Sequence, residues 1–168
     1  LTDEYYREVV LRTLVLGFGV TAICLVLGYP LAYYIANAGP RMRLALTMLL
    51  IFPMLLNLVV RSFGWIALLA NRGLINNLLI DIGLIERPIR MMFNLFGLLV
   101  GMSHIFLPFM VLMLVPAIQA IPKDVQSAAY TLAASRLRVF WSITLPMSAP
   151  GILSGSILVF VLTISALV

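Results

Sequence analysis

Four long apolar stretches dominate the distribution of hydrophobic and polar residues along the chain. Residues 13–40, 91–122 and 139–168 contain no charged side chain, and residues 44–71 contain one, Arg61. A helix of about 20 apolar residues crosses the hydrocarbon core of a bilayer, so each stretch supplies one membrane span. Lipid offers an exposed backbone no hydrogen-bond partner, and these stretches are too long for barrel strands. The pattern predicts an all-α, polytopic membrane protein with four transmembrane helices near 11–36, 44–70, 92–118 and 149–168.

The connection 72–90 carries an amphipathic pattern. Its apolar residues recur at the spacing of one helix face: Ile75, Leu78, Leu79 and Ile82. Its polar residues Asn77 and Asp81 lie on another face. This pattern is typical of a helix that lies in the membrane interface. We therefore expect an interfacial helix between the second and third spans.

The connection 121–148 predicts a helix–turn–helix. Pro122 suits the first turn of a helix, and Ser135 is a favourable N-cap for a second short helix. We expect Leu145-Pro146 to end that second helix, because the residue before proline avoids helical geometry. The first helix would carry an apolar face of Val125, Ala128, Ala129 and Leu132. One face of the second would carry Leu137, Phe140, Trp141 and Thr144.

Composition excludes an ordinary soluble domain. The chain of 168 residues is 63% hydrophobic and only 10% charged, with a mean hydropathy of +1.13, whereas soluble domains are roughly 25% charged. The net charge of +5 comes from a few basic residues between apolar blocks, which does not resemble a nucleic-acid-binding face. The chain begins at Leu1 rather than Met and ends at Val168 inside an apolar stretch, so we expect a longer protein.

The spans lack the groups that drive transport or catalysis. None contains Asp or Glu, which argues against ion-driven secondary transport. The single lysine, Lys123, follows no glycine-rich phosphate loop, so we do not expect ATP hydrolysis. The single histidine and the single cysteine are far apart, so we expect neither a metal site nor a cofactor. Uphill movement of a solute would take its energy from a partner.

Arg61 and His104 are the basic side chains that the predicted spans place at membrane depth. Arg61 either extends along its helix to the interface or lines a polar pathway with Asn57 and Trp65. His104 is either a packed core residue or a ligand.

Two pairs of glycines have the spacing that allows close helix contact. They are Gly97 with Gly101 and Gly151 with Gly155. Small residues four apart let two helix backbones approach each other. We expect both pairs to pack against other helices.

Residues 127–151 resemble the EAA motif of ABC importer permeases. In that family, Glu-Ala-Ala is followed by Gly-Ala-Ser, a Phe and Pro-x-x-x-Pro-Gly. The matching residues here are Ser127, Ala128, Ala129, Leu132, Ala133, Ala134, Ser135, Phe140, Pro146, Pro150 and Gly151. The segments 29–33, 60–65, 73–77 and 107–109 are similar to the spermidine/putrescine-type branch. The resemblance covers nearly the whole chain, from the family's second span into its fifth.

The resemblance implies a single transmembrane permease domain over 1–168 in a bacterial inner membrane. Residues 121–148 would form a cytoplasmic coupling loop that docks into an ATPase subunit, and residues 72–90 would lie outside. The basic residues alone leave this orientation open, because each side of the membrane has five of them. The implied partners are cytoplasmic ATPase subunits, a second permease subunit, a soluble substrate-binding protein and the bilayer, without nucleic acid. The implied substrate is a polyamine or similar small polar solute.

Two residues depart from the family pattern, and two other functions stay open. Ser127 replaces Glu, which removes a polar contact, and Ala133 replaces Gly, which is acceptable only if the turn does not need a positive φ. The alternatives are a structural or assembly subunit without transport, and a membrane-embedded enzyme, which the missing catalytic groups disfavour. Co-purification with an ATPase separates the permease from both.

Overall fold

The computed structural model describes residues 2–92 and 94–167, and these residues are helical with short connections. Leu1, Val168 and position 93 of the third predicted span lie outside the described residues. The helices are α1 (Thr2–Asn37), α2 (Pro40–Leu55), α3 (Leu58–Leu69), α4 (Leu74–Asp81), α5 (Leu95–Gln119), α6 (Lys123–Thr131), α7 (Arg136–Val139), α8 (Leu145–Met147) and α9 (Ala149–Leu167). A π-helical turn, Phe140–Thr144, joins α7 to α8.

Helices α1, α5 and α9 pack together and form the buried core. Val20 and Ile35 of α1, Met110 and Leu114 of α5, and Val159 of α9 are almost completely buried. By contrast, α2 contains no buried residue and exposes large apolar side chains. A helix that is apolar all round is stable in lipid without packing on every side.

Small residues set the distance between α9 and α5. A Cβ on Gly151 would lie 2.3 Å from Cβ of Ala117, and one on Gly155 would lie 2.8 Å from Sδ of Met110. The packing prediction for this glycine pair is confirmed.

The other glycine pair does not pack against a helix. A Cβ on Gly97 would approach the carbonyl oxygen of Met91 in the preceding connection, and a Cβ on Gly101 would meet nothing within 4 Å. The packing prediction for this pair is therefore wrong. The spacing is the same in both pairs, and only the position of the neighbouring helices separates them.

Four segments of the described chain are long and apolar enough to cross a membrane, as predicted: Tyr6–Asn37, Val59–Asp81, Leu95–Gln119 and Ala149–Leu167. The predicted continuous helix 44–70 is wrong. Leu56 is extended, with ψ 137°, and the Asn57 side chain accepts a hydrogen bond from the Val59 amide, which caps α3. The cap satisfies an amide at the start of a new helix, so the apolar stretch breaks there. The segment Val59–Asp81 then runs through α3 and α4, which a turn at Ala70–Gly73 separates.

Asn76 holds the connection between α3 and α5 in place. The predicted helix in this connection is confirmed as α4. The Asn76 side chain is completely buried: its amide nitrogen donates to the carbonyls of Ala70 and Ile89, and its oxygen accepts from the Ile89 amide. A buried amide with these partners fixes residues 70–89 as one unit.

Candidate functional site

Residues 121–148 form the predicted helix–turn–helix. Pro122 directly precedes α6, and the Ser135 side chain accepts a hydrogen bond from the Arg138 amide at 3.3 Å. The serine oxygen satisfies an amide that the first turn of α7 leaves free. The short helices therefore begin where the sequence predicted.

Pro146 does not end the second helix. Leu145 is helical, and its amide donates to the carbonyl of Phe140 five residues earlier, so the chain passes through a π-helical turn into α8. Thr144 Oγ1 lies 3.5 Å from the Val139 carbonyl, to which it donates. The widened turn keeps the backbone helical up to a proline that has no amide hydrogen to give. The helix bends away only at Ser148, where ψ is 0°.

The four side chains that the sequence predicted on one face of the second short helix point in two directions. Leu137 and Trp141 are 71% and 62% exposed, whereas Thr144 is buried and Phe140 is half-buried. The π-helical turn fits more residues into one turn than an α-helix does, and this rotates the side chains relative to an α-helical projection. Phe140 and Thr144 consequently face the bundle, and the other two face away from it.

The outer part of the segment exposes three large apolar side chains, Leu132, Leu137 and Trp141, which we call the loop surface. Leu132 is 84% exposed. Exposed apolar patches on a polar segment are typical of protein interaction sites.

The motif residues occupy three environments. Ser127, Ala128, Ala133, Ser135, Pro146 and Pro150 are exposed, Ala129, Ala134 and Phe140 are half-buried, and Gly151 is buried against α5. The motif therefore combines an exposed surface with residues that fix its base.

Ala133 adopts a left-handed backbone conformation, with φ 57°. The turn between α6 and α7 therefore needs a positive φ, and the condition under which alanine would be harmless is not met. An L-residue in this region loses roughly 1–2 kcal/mol relative to its preferred conformation. Glycine has no such penalty.

We expect Ala133→Gly to stabilise the segment by about 1 kcal/mol. Trypsin cleavage at the exposed Arg136 and Arg138 measures local opening, and its rate should fall about fivefold. Ala128→Gly is the matched control: it places glycine inside α6 and should raise the cleavage rate. Equal cleavage rates for wild type and Ala133→Gly would contradict the strain at this turn.

Arg61 lies on a cavity between α3 and α5. The cavity has a volume of about 410 Å³, and Trp65, Gly101 and Met102 also line it. Nε of Arg61 and Nδ1 of His104 are buried without a hydrogen-bond partner among the described residues. The Trp65 and His104 rings meet edge to face, with centroids 5.3 Å apart. Ser62 also lines the cavity, and the rest of the lining is apolar.

Asn57 is not part of this lining. Its side chain caps α3 through the Val59 amide at 2.8 Å. The structure thus brings two of the three predicted pathway residues to one cavity and assigns the third a capping contact. In the described residues, no group of three or more His, Cys, Asp or Glu could hold a metal ion.

Residues 12–168 match the family described as "Binding-protein-dependent transport system inner membrane component". The chain belongs to this family. The resemblance seen in the motif residues is confirmed, and the family places this permease chain among multi-pass proteins of the inner membrane.

Relatives of this permease chain include other permease proteins of bacterial transport systems. It is 39% identical over 95% of its length to the spermidine/putrescine transport system permease protein PotB of Escherichia coli, and 33% identical over 95% to PotB of Haemophilus influenzae. It is 29% identical over 94% to the inner membrane ABC transporter permease protein YdcU of Escherichia coli. The chain spans 58%, 56% and 54% of the length of these relatives.

Proposed function

We propose that this chain forms part of the transmembrane subunit of an ATP-driven solute importer, lines the translocation pathway and passes ATPase movement through residues 121–148. The loop surface carries this proposal, because Leu132 and Leu137 are 84% and 71% exposed on a short segment whose base is buried. Apolar groups in this arrangement fit a groove of a partner protein. ATP hydrolysis belongs to that partner, an ATPase subunit on the cytoplasmic side.

The other partners follow from the family and from the exposed helices. A soluble substrate-binding protein delivers the solute on the side of residues 72–90. A second permease subunit covers part of the apolar surface of α2 and α3, and lipid covers the rest. We propose a single permease domain over the whole chain, oriented with 37–43 and 120–145 in the cytoplasm.

We propose a polyamine or similar small polar solute as substrate. The relatives named as spermidine/putrescine permeases support it. Apart from Glu8 and Asp81 near the ends of the first two segments, the spans contain no carboxylate to bind a cation tightly, so the site in this chain would be weak. Selectivity would come from the soluble binding protein.

The test of the function is reconstitution of the full-length permease with its ATPase and binding protein in vesicles. Hydrolysis should rise when spermidine-loaded binding protein is added, and spermidine should accumulate. With a structural or assembly subunit, hydrolysis would not rise and spermidine would not accumulate. Single cysteines at Asn77 and Gln126, in a Cys24→Ala background, should react with an impermeant reagent from opposite sides. Labelling from one side would overturn the proposed orientation.

Arg61→Leu tests the pathway. The guanidinium is the charged group on a cavity wall that is otherwise apolar except for Ser62, so its loss removes the charged donor that replaces the water of a polar solute. Uptake should fall about tenfold while the complex still assembles, the effect of one charged hydrogen bond. Phe63→Leu is the control on α3, since Phe63 is 66% exposed and does not line the cavity. Unchanged uptake in Arg61→Leu would leave Arg61 as a residue that extends to the interface.

A further inference from the structure

A buried polar contact joins the base of the coupling segment to α1. Tyr29 Oη and Ser148 Oγ lie 2.8 Å apart, and both residues are buried. The Ser148 hydroxyl also lies 3.0 Å from the carbonyl of Leu145, to which it donates. A carbonyl only accepts and serine has one hydroxyl hydrogen, so Tyr29 is the donor to Ser148. The contact connects the junction of α8 and α9 to the last third of α1.

The ring of Phe140 sits on the same turn of α1. It meets Tyr29 and Tyr33 edge to face, with centroid distances of 5.7 Å and 5.9 Å. Residues four apart lie one above the other on a helix, so the two tyrosines offer one continuous surface. Phe140 begins the π-helical turn and Ser148 follows α8. Both ends of this stretch are therefore fixed to one site on α1.

The other contacts of the segment with the bundle are apolar: Ile121 and Val139 are buried, and Leu145 packs against the core. Helix α6 contains no buried residue, and the loop surface points away from the core. Thr144 is buried, but its hydroxyl bonds within its own segment. Among the described hydrogen bonds made by side chains of 121–148, the one from Tyr29 to Ser148 is the bond that reaches α1.

We propose that Tyr29 is a positioning residue that transmits movement of the coupling segment to α1, with Ser148 as its acceptor and Phe140 as a fixed pivot. The proposal rests on the proposed function, because it needs an ATPase that moves the loop surface. Apolar surfaces can slide over each other, whereas a buried hydrogen bond resists separation because its unpaired groups are costly. Movement of the loop then turns α1, and α5 and α9 follow because they pack on it.

The experiment compares Tyr29→Phe, Ser148→Ala and the double variant in the full-length permease, assembled with ATPase and binding protein in vesicles. Tyr34→Phe is the matched control: it removes the same hydroxyl from α1 at a side chain that is 61% exposed. Each preparation is measured for thermal unfolding of the complex, for hydrolysis stimulated by spermidine-loaded binding protein, and for spermidine taken up per ATP hydrolysed.

Each single variant should lower uptake per ATP about tenfold, the effect of one buried hydrogen bond. The double variant should recover the thermal stability lost in Ser148→Ala, because the Tyr29 hydroxyl is then no longer left unpaired. Its uptake per ATP should nevertheless stay low.

A contact that only stabilised the fold would let the double variant recover both properties, and that result would overturn the proposal. Unchanged uptake per ATP in both single variants would also overturn it. If the wild type shows no stimulated hydrolysis, the proposed function fails, and the transmission role fails with it.

Discussion

Leu137→Asp is expected to release the ATPase from the permease while the bundle stays folded. Leu137 is 71% exposed, so the free permease tolerates a charge there. In the docked complex the carboxylate would be buried without a partner, which costs roughly 3 kcal/mol or more. The affinity for the ATPase should fall at least about 100-fold. Leu132→Asp should act in the same way.

The measurement is pull-down of the ATPase by tagged permease, together with stimulated hydrolysis in vesicles. Ser127→Glu is the matched control, since it places a negative charge on the same exposed segment where the family carries Glu. Binding should survive in that control. Ala129 and Ala134 are half-buried, so Ala129→Asp or Ala134→Arg should also uncouple but would disturb the segment's own packing. Full ATPase binding by Leu137→Asp would show that the loop surface is not the dock.

Gly151→Ala is expected to separate α9 from α5. The new Cβ would lie 2.3 Å from Cβ of Ala117 and 3.2 Å from the Met113 carbonyl. Both neighbours belong to helix α5, so relief requires movement of a whole helix rather than a side-chain rotation. Overpacking of this kind costs about 1–3 kcal/mol. Because lipid is as apolar as the side chains, close packing is a main source of helix association here.

Thermal unfolding in detergent measures this effect, and the midpoint should fall by several degrees, about 2–4 °C per kcal/mol for a protein of this size. Ala117→Gly combined with Gly151→Ala should recover most of the loss, since it removes the opposing carbon atom. Gly101→Ala is the matched control, because a Cβ there meets nothing within 4 Å. A Gly151→Ala protein as stable as Gly101→Ala would contradict the close contact between α9 and α5.

The class of protein and the location of most helices could be predicted from the order of residues alone. Apolar stretches free of charge fixed α1, α5 and α9, because crossing a bilayer imposes a minimum length and helical geometry on the backbone. Ser135 fixed the start of α7, because capping depends on residues only three apart. The motif from Ser127 to Gly151 identified the family for the same reason, since it lies within one short stretch.

Contacts between residues that are distant in the chain could be read only from the folded structure. The two glycine pairs look alike in sequence, yet Gly151 meets Ala117 and Gly101 meets open space. The chain stays helical through Pro146 because of a π-helical turn that no periodicity predicts. Tyr29 contacts Ser148 although 119 positions separate them in the chain. Local sequence governs helix formation, propensity and caps, whereas which faces meet depends on how the assembled helices pack.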